Sequence, residues 1–223
     1  MIILDCETYT NYFLLSMLDT DSGHIKDFEL FDGQDFDSKT VSAILRKHTT
    51  LGFNSSNYDL PVIVAALRGD TNAQIKQLSD DIINAPKVWP VLKKHKINIP
   101  ASFDHIDIMP IPIGQASLKI YGGRLHAPKM QDLPIEPNAL ISPEQRKTLR
   151  LYCHNDLQVT RILYEELKPQ IALREQMSKQ YGIDLRSNSD AQIAENVIKH
   201  ELEAKNIDCT RPTVKIGTKY KYT

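Results

Sequence analysis

Five side chains in this sequence are of types that could do chemistry together: Asp5 and Glu7 near its start, Asp59 further on, and Tyr152 with Asp156 in the last third. Asp5 and Glu7 come after the apolar run Ile2-Ile3-Leu4 with one residue between them, so on a strand both carboxylates leave the same face. Acids held that close resist joint ionisation unless a cation sits between them, and hard divalent cations choose oxygen ligands. The pair reads as half of a magnesium site. Taken alone it is better read as a solvated strand end; its company further along the chain raises the metal reading.

Asp59 lies in Asn54-Ser55-Ser56-Asn57-Tyr58-Asp59-Leu60-Pro61, a polar loop running into a helix with proline in its first turn. A carboxylate there could cap the helix, reach an ion, or both. Tyr152 and Asp156 are four residues apart on a helix and share a face. Leu149, Tyr152, Asp156, Val159 and Leu163 succeed one another at spacings of three and four, which puts an aspartate in an apolar stripe. Burying an unpaired carboxylate costs several kcal/mol, so Asp156 needs a partner.

Four carboxylates drawn to one point repel one another, and two divalent ions about 3.5–4 Å apart would neutralise them while clamping the attacking and leaving oxygens of an in-line displacement at phosphorus. Phosphodiester hydrolysis is the natural reaction. A tyrosine with an ordinary pKa near 10 is a poor base at neutral pH but a good hydrogen-bonding group, so Tyr152 is expected to orient the attacking water.

The elements that must position these groups are legible in turn. After the first strand, Tyr12 to Leu18 and Ile25 to Phe31 read as a hairpin around Asp19-Thr20-Asp21-Ser22-Gly23. Ser38 to Lys47 reads as a helix capped by Asp37 or Ser38, and Thr50 to Asn54 as a short strand. Asn72 to Lys96 has a helical pattern with breaks expected at Pro86 and Pro90, and Trp89 is expected to anchor it against the core. Phe103 to Ile108 alternates as a strand, Ser117 to Tyr121 reads as a short helix, and Gly122 to Pro137 as a long irregular segment. Ser142-Pro143-Glu144-Gln145 opens a helix with a capping box, with a kink or restart expected at Pro169 and a stop at Gly182. Ser187 to Asp190 caps a last helix over Ala191 to Lys205, with Ile193, Val197, Ile198 and Leu202 as its apolar face. The tail is basic, with Lys205, Arg211, Lys215, Lys219 and Lys221 against Asp208. The whole is an α/β fold on a mixed sheet.

At 223 residues the chain can bury a substantial core, and its net charge of −1 excludes a uniformly basic nucleic-acid binder while leaving room for a local patch. Cys6, Cys153 and Cys209 form no C-x-x-C pair, which argues against a disulfide framework or zinc ribbon and fits a reducing setting. No signal-peptide pattern or bilayer-spanning run is present, so a soluble protein is expected.

Asp5-Cys6-Glu7-Thr8, Asn54-Ser55-Ser56-Asn57-Tyr58-Asp59 and Tyr152-Cys153-His154-Asn155-Asp156 resemble, in order, the three exonuclease motifs of the DEDD superfamily. The third matches its tyrosine subgroup. The first two are most similar to the forms found in the proofreading domains of family B and phage DNA polymerases. The resemblance covers about residues 1–168 and implies a ribonuclease H-like mixed sheet flanked by helices, with residues 169–223 as a C-terminal helical extension and basic tail. It implies 3′-to-5′ exonuclease activity with two Mg2+ or Mn2+ ions held by Asp5, Glu7, Asp59 and Asp156, and Tyr152 orienting water. Thr8 and Asn54 match positions that contact the terminal nucleotide. Lys119 and Arg124 are candidates for phosphate contacts, on a loop that could equally be solvated. His154 does not fall where the histidine subgroup places its base, and an exposed helical histidine is expected. Asp107 is expected to be structural or to support the site.

The resemblance further implies a monomer acting on single-stranded DNA 3′ ends and releasing nucleoside 5′-monophosphates, in the cytoplasm, or the host cytoplasm if phage-encoded, with no membrane association. The stretch after the exonuclease-like part is too short for a polymerase palm. A stand-alone enzyme, a split subunit working with a DNA polymerase, or a fragment of one all fit, Tyr220 and Tyr222 in the basic tail resembling the start of a connection. An RNA 3′-to-5′ exonuclease, or a silent nucleic-acid-binding scaffold of a replication complex, are the alternatives.

Overall fold

A computed structural model describes residues 1–112, 114 and 116–210; the basic tail beyond Thr210, with Arg211, Lys215, Lys219, Tyr220, Lys221 and Tyr222, lies outside the described residues. Five strands, β1 (Ile2–Tyr9), β2 (Tyr12–Asp19), β3 (Ile25–Phe31), β4 (Thr50–Gly52) and β5 (His105–Asp107), form one mixed sheet in the order β3-β2-β1-β4-β5. The first three pair antiparallel through tight turns, while β4 and β5 add parallel to β1 after crossovers. The helices among the described residues are α1 (Ser38–Lys47), α2 (Asp59–Arg68), α3 (Asn72–Asn84), α4 (Val88–Lys94), α5 (Leu118–Arg124), α6 (Pro143–Tyr181) and α7 (Asp190–Glu203), and they flank the sheet. No helix among the described residues is long and apolar enough to cross a membrane.

Strand alternation sends β1 into two cores. Leu4 and Cys6 face one packed by Val41 and Leu45 of α1, Leu60 and Ile63 of α2, and Ile75 and Leu78 of α3. Ile3 and Tyr9 face the other side, where α6 supplies Leu149, Cys153, Leu157, Leu163 and Leu167. Asp5 and Glu7 share the parity of Ile3 and Tyr9, so they look toward α6. Two polar links hold α6 over the antiparallel strands: His154 Nε2 to Asp27 Oδ1 at 2.8 Å, and Arg150 to Glu29 at 2.9 Å. His154 is therefore half-buried and paired, not the exposed helical histidine that the sequence suggested. Ile141 and Asn11 exchange two hydrogen bonds, strapping the irregular segment before α6 across the β1–β2 turn.

Several local expectations need correction. The chain breaks at Pro86 but not at Pro90, the third residue of α4, where the first-turn N–H groups have no intrahelical partner to lose. Trp89 does not anchor α4 in the core: it is 69% exposed, and Val91 fills that role. Helix α6 runs unbroken through Pro169, because Leu163, Leu167 and Ile171 on either side of it are buried in one core. The chain beyond α6 folds back: Ser187 Oγ accepts from the Asp107 N–H at 2.9 Å, and Arg186 pairs with Asp104 at 2.7 Å. On α7 only Ile193 is buried and Ile198 is 59% exposed, so the apolar face expected there is mostly unused.

Strand β4 pairs with β1 only at Ile2 and Ile3, so beyond Leu4 the sheet opens between them at the carboxyl end of two parallel strands. The chain turns sharply at Gly52. A Cβ there would lie 2.5 Å from both Cβ and Oγ of Ser55 and 3.3 Å from the Leu4 carbonyl. Ser55 cannot step aside, since it is fully buried and bonded at 2.7 Å to His105 Nε2, whose Nδ1 bonds Thr50 Oγ1 at 2.8 Å. Burial holds His105 down to about 4, so this bridge is uncharged at neutral pH. Gly52→Ala is expected to lose about 1–3 kcal/mol of stability by overpacking, read as a lower urea midpoint at unchanged slope.

Candidate active site

The open crevice between β1 and β4 receives side chains from three elements. β1 brings Asp5 and Glu7 down its outer half, the turn after β4 brings Asp59 on the first turn of α2, and α6 crosses above with Tyr152, Cys153 and Asp156. A crevice at the carboxyl ends of parallel strands, where the chain leaves in opposite directions, is the usual binding place in an open α/β sheet.

Asp59 is delivered by a loop whose backbone is fixed by Asp107. That buried carboxylate at the end of β5 accepts from the N–H groups of Asn54 at 2.9 Å and Ser56 at 3.0 Å, and also from Met109. Asn54 adopts a left-handed φ of 58°, which asparagine tolerates better than most residues. Its carbonyl takes the N–H of Tyr58, and Ser55 takes that of Leu60, so the loop winds directly into α2. The role of Asn54 visible here is this turn.

On the opposite face of β1, the Thr8 hydroxyl bonds the Tyr58 hydroxyl at 2.8 Å and donates to Ser79 Oγ at 2.9 Å, and Tyr58 and Ser79 lie 2.8 Å apart. This triangle ties the residue after Glu7 to the residue before Asp59 and to α3. Thr8 is thereby engaged inside the fold. Nothing in the spacing of Ser79 marked it as a partner.

Burial raises all four acids, and Asp5 and Glu7 are raised further by their acidic neighbours. Burial holds Asp5 well above the usual carboxylate range, reinforced by Asp59, Glu7 and Asp156, while a hydrogen bond from Cys153 opposes the shift. Glu7 is raised by burial and then by Asp156 and Asp59. Asp59 is pushed up to about 7 by burial and by Asp107. Burial raises Asp156 too, against hydrogen bonds from Tyr152 and Asn155 and the charge of Lys119. Tyr152 sits far above an ordinary tyrosine because of burial and the charges of Asp156 and Glu7, so its phenol stays protonated.

The tightest grouping among the described residues is Asp5, Glu7 and Cys153, whose ligand atoms lie within 4.8 Å of one another; Asp59 and Asp156 do not join them within that spacing. Cys153 went unnoticed in the sequence although it stands between Tyr152 and Asp156. Burial and the neighbouring acids raise its thiol, which points at Asp5 Oδ2 over 3.4 Å as a donor. The buried seam of α6 runs through Leu149, Cys153 and Leu157, leaving Tyr152 and Asp156 half-buried at its edge, not in its middle as the spacing suggested.

These residues fit a hard divalent cation. The donors are carboxylate oxygens, among the described residues no arginine or lysine pairs directly with them, and Asp59 Oδ1 is buried without a hydrogen-bond partner. Lys119 is exposed at the start of α5, paired with Asp132 and near enough to Asp156 to stabilise its charge. Together with Lys129, Tyr152, Asn155 and Asp156 it lines a cleft of about 170 Å3 beside the acids. Arg124 lies at the other end of α5, its guanidinium 5.8 Å from the Tyr121 ring centroid, and does not line that cleft. A larger cleft of about 490 Å3, between the end of α6 and Gly182 to Arg186, contains none of the acids.

No protein-family model, curated protein or solved structure matches the chain.

Proposed function

We propose that this protein is a 3′-to-5′ exonuclease of ribonuclease H-like fold that hydrolyses single-stranded DNA ends to nucleoside 5′-monophosphates. The observation that carries the reading is the convergence of four acids from three distant parts of the chain, Asp59 and Asp156 both raising the pKa of Asp5 and Glu7, around a buried, unpartnered carboxylate oxygen of Asp59. Such an arrangement is costly for a fold and is kept where perturbed groups serve chemistry. A mixed sheet that opens at the first two acids supports the fold assignment.

Asp5, Glu7, Asp59 and Asp156 would hold two Mg2+ or Mn2+ ions, which when bound would offset the carboxylate repulsion and supply the positive charge that displacement at phosphorus requires. Tyr152, beside Asp156 and protonated at neutral pH, orients the attacking water without taking its proton. The water oxygen forms the new bond to phosphorus as the bond to the 3′ oxygen breaks. The water's proton passes to solvent, and the leaving oxygen takes one up as a free hydroxyl. Lys119 and Lys129 border the cleft in which the terminal nucleotide would lie.

A 5′-labelled single-stranded oligonucleotide is expected to shorten stepwise with Mg2+ or Mn2+ and to survive in chelator. Survival under both conditions would refute the reading, and faster loss of a matched RNA would reassign the substrate. Tyr152→Phe removes the orienting hydroxyl and leaves the ring packed; turnover is expected to fall about 10- to 100-fold, roughly 1.4–2.7 kcal/mol in the barrier, with the thermal midpoint nearly unchanged.

A further inference from the structure

We propose that the corner between α3 and α4 is a second contact for single-stranded nucleic acid, where Trp89 stacks on an unpaired base and Lys87, Lys93 and Lys96 hold the adjoining phosphates. This extends the exonuclease reading and rests on it for the ligand's identity. Trp89 is the only tryptophan in the chain, yet it stands on a surface helix with 69% of its area exposed. The Lys93 ammonium lies 5.5 Å from the centre of its ring, which puts a cation and a π face within one reach. Lys87 at the N-cap of α4 and Lys96 just past its C-cap bracket the ring.

Charge around this corner is segregated. Residues 82–103 carry four lysines and no acid, in a chain whose net charge is −1. Asp81, just before them, pairs with Lys94 and His95 at 2.6 Å each, whereas among the described residues no carboxylate pairs with Lys87, Lys93 or Lys96. A sequence-tolerant single-strand site combines such features: an aromatic platform for any base and cations for the backbone. A protein partner would meet a poor match, since lysine is depleted at the centres of protein interfaces and the only large apolar neighbour exposed on α3 is Ile83.

Ser79 of α3 bonds Thr8, the neighbour of Glu7, and α3 ends at Asn84, about 8 Å further along at the helical rise. The corner is thus tied to the strand that carries the acids, on the face of β1 opposite to them. A distal hold would also offset the repulsion that the acids present to an incoming polyanion.

The lone tryptophan allows a direct test. In chelator, so that nothing is cleaved, a single-stranded oligothymidylate is expected to quench Trp89 fluorescence. Its affinity should fall as salt rises, and the combined variant Lys87→Gln, Lys93→Gln, Lys96→Gln should flatten that salt dependence by roughly 0.7 in log–log slope per lysine removed. By anisotropy of a labelled strand, Trp89→Ala should bind about tenfold more weakly and Trp89→Phe should recover most of the loss. Absence of quenching, or unchanged affinity in Trp89→Ala, would overturn the proposal. Equal quenching by polyglutamate would transfer the corner to an acidic protein partner, and equal quenching by duplex would remove the stacked base; either overturns it. Loss of cleavage with quenching intact would count against the exonuclease reading and leave this contact standing.

Discussion

Asp5→Asn is expected to lower exonuclease turnover about a thousandfold or more, on the order of 4 kcal/mol in the barrier, while raising the thermal midpoint of the metal-free protein. The two effects have one cause. In wild type without metal, Asp5 is held well above its ordinary pKa by burial and by Asp59, Glu7 and Asp156, so ionising it at neutral pH works against folding. Asparagine keeps the shape and removes the charge. A merely structural aspartate would show the opposite: its loss would leave Cys153 Sγ, 3.4 Å from Asp5 Oδ2, without a charged acceptor and lower the midpoint. Turnover on a labelled strand and calorimetry in chelator test both halves, and a lower midpoint together with retained cleavage would sink the account.

Metal and pH should act on stability together, through Asp59. Its folded pKa of about 7 lies above the ordinary carboxylate value of 3.8, so the stabilisation belongs to the protonated form. It is fully present below about pH 4 and is lost as pH rises through 7. Over that span Asp59 withdraws on the order of 4 kcal/mol from the metal-free protein, at 1.36 kcal/mol per unit. Divalent cation binds the ionised form and reverses the loss, so Mg2+ should raise the midpoint much more at pH 8 than at pH 5.5. At a hundred times its dissociation constant the gain is about 2.7 kcal/mol. In Asp59→Asn both the decline with pH and most of the Mg2+ increment should vanish. His105, held down to about 4, works in the other direction, since its stabilisation is lost as pH falls from 6.5 through 4. The difference between wild type and Asp59→Asn isolates the carboxylate. A Mg2+ shift of equal size at both pH values, or one that survives in the variant, would contradict this.

The Lys119–Asp132 pair also bears on how the cleft is used. It joins two exposed residues, of which Lys119 lines the space beside Asp156, and an exposed pair of this kind is worth little. A phosphate arriving at Lys119 therefore has little to displace, which suits a phosphate contact. Arg124, outside that cleft, has no comparable position, although its residue type and distance in sequence looked equally suitable.

Much of the framework was legible because it is written in local chemistry. The alternation of β1, the turn before β3, the capping box at Ser142 and the stop at Gly182 act within a few residues, and each element stands close to where those signals put it. The acids, too, were conspicuous one by one, since carboxylates after an apolar strand, at a helix start and beside an apolar stripe are each expensive unless used. Local signals misled where a distant contact prevailed. Pro169 does not interrupt α6 because the core binds Leu163, Leu167 and Ile171 on both sides of it. Trp89 is on the surface because Val91 and Ile97 already fill the space beneath α4.

By itself the sequence determined which residue types were present and which face of its own element each would take, because helix and strand periods follow from backbone geometry alone. Only the tertiary structure decided that β4 parts from β1 at the carboxylates, that Asp107 and the Thr8–Tyr58–Ser79 triangle hold Asp59 beside them, and that Cys153 meets Asp5. Those are pairings between residues up to 148 positions apart. Such pairings depend on how whole elements pack, which no single segment encodes.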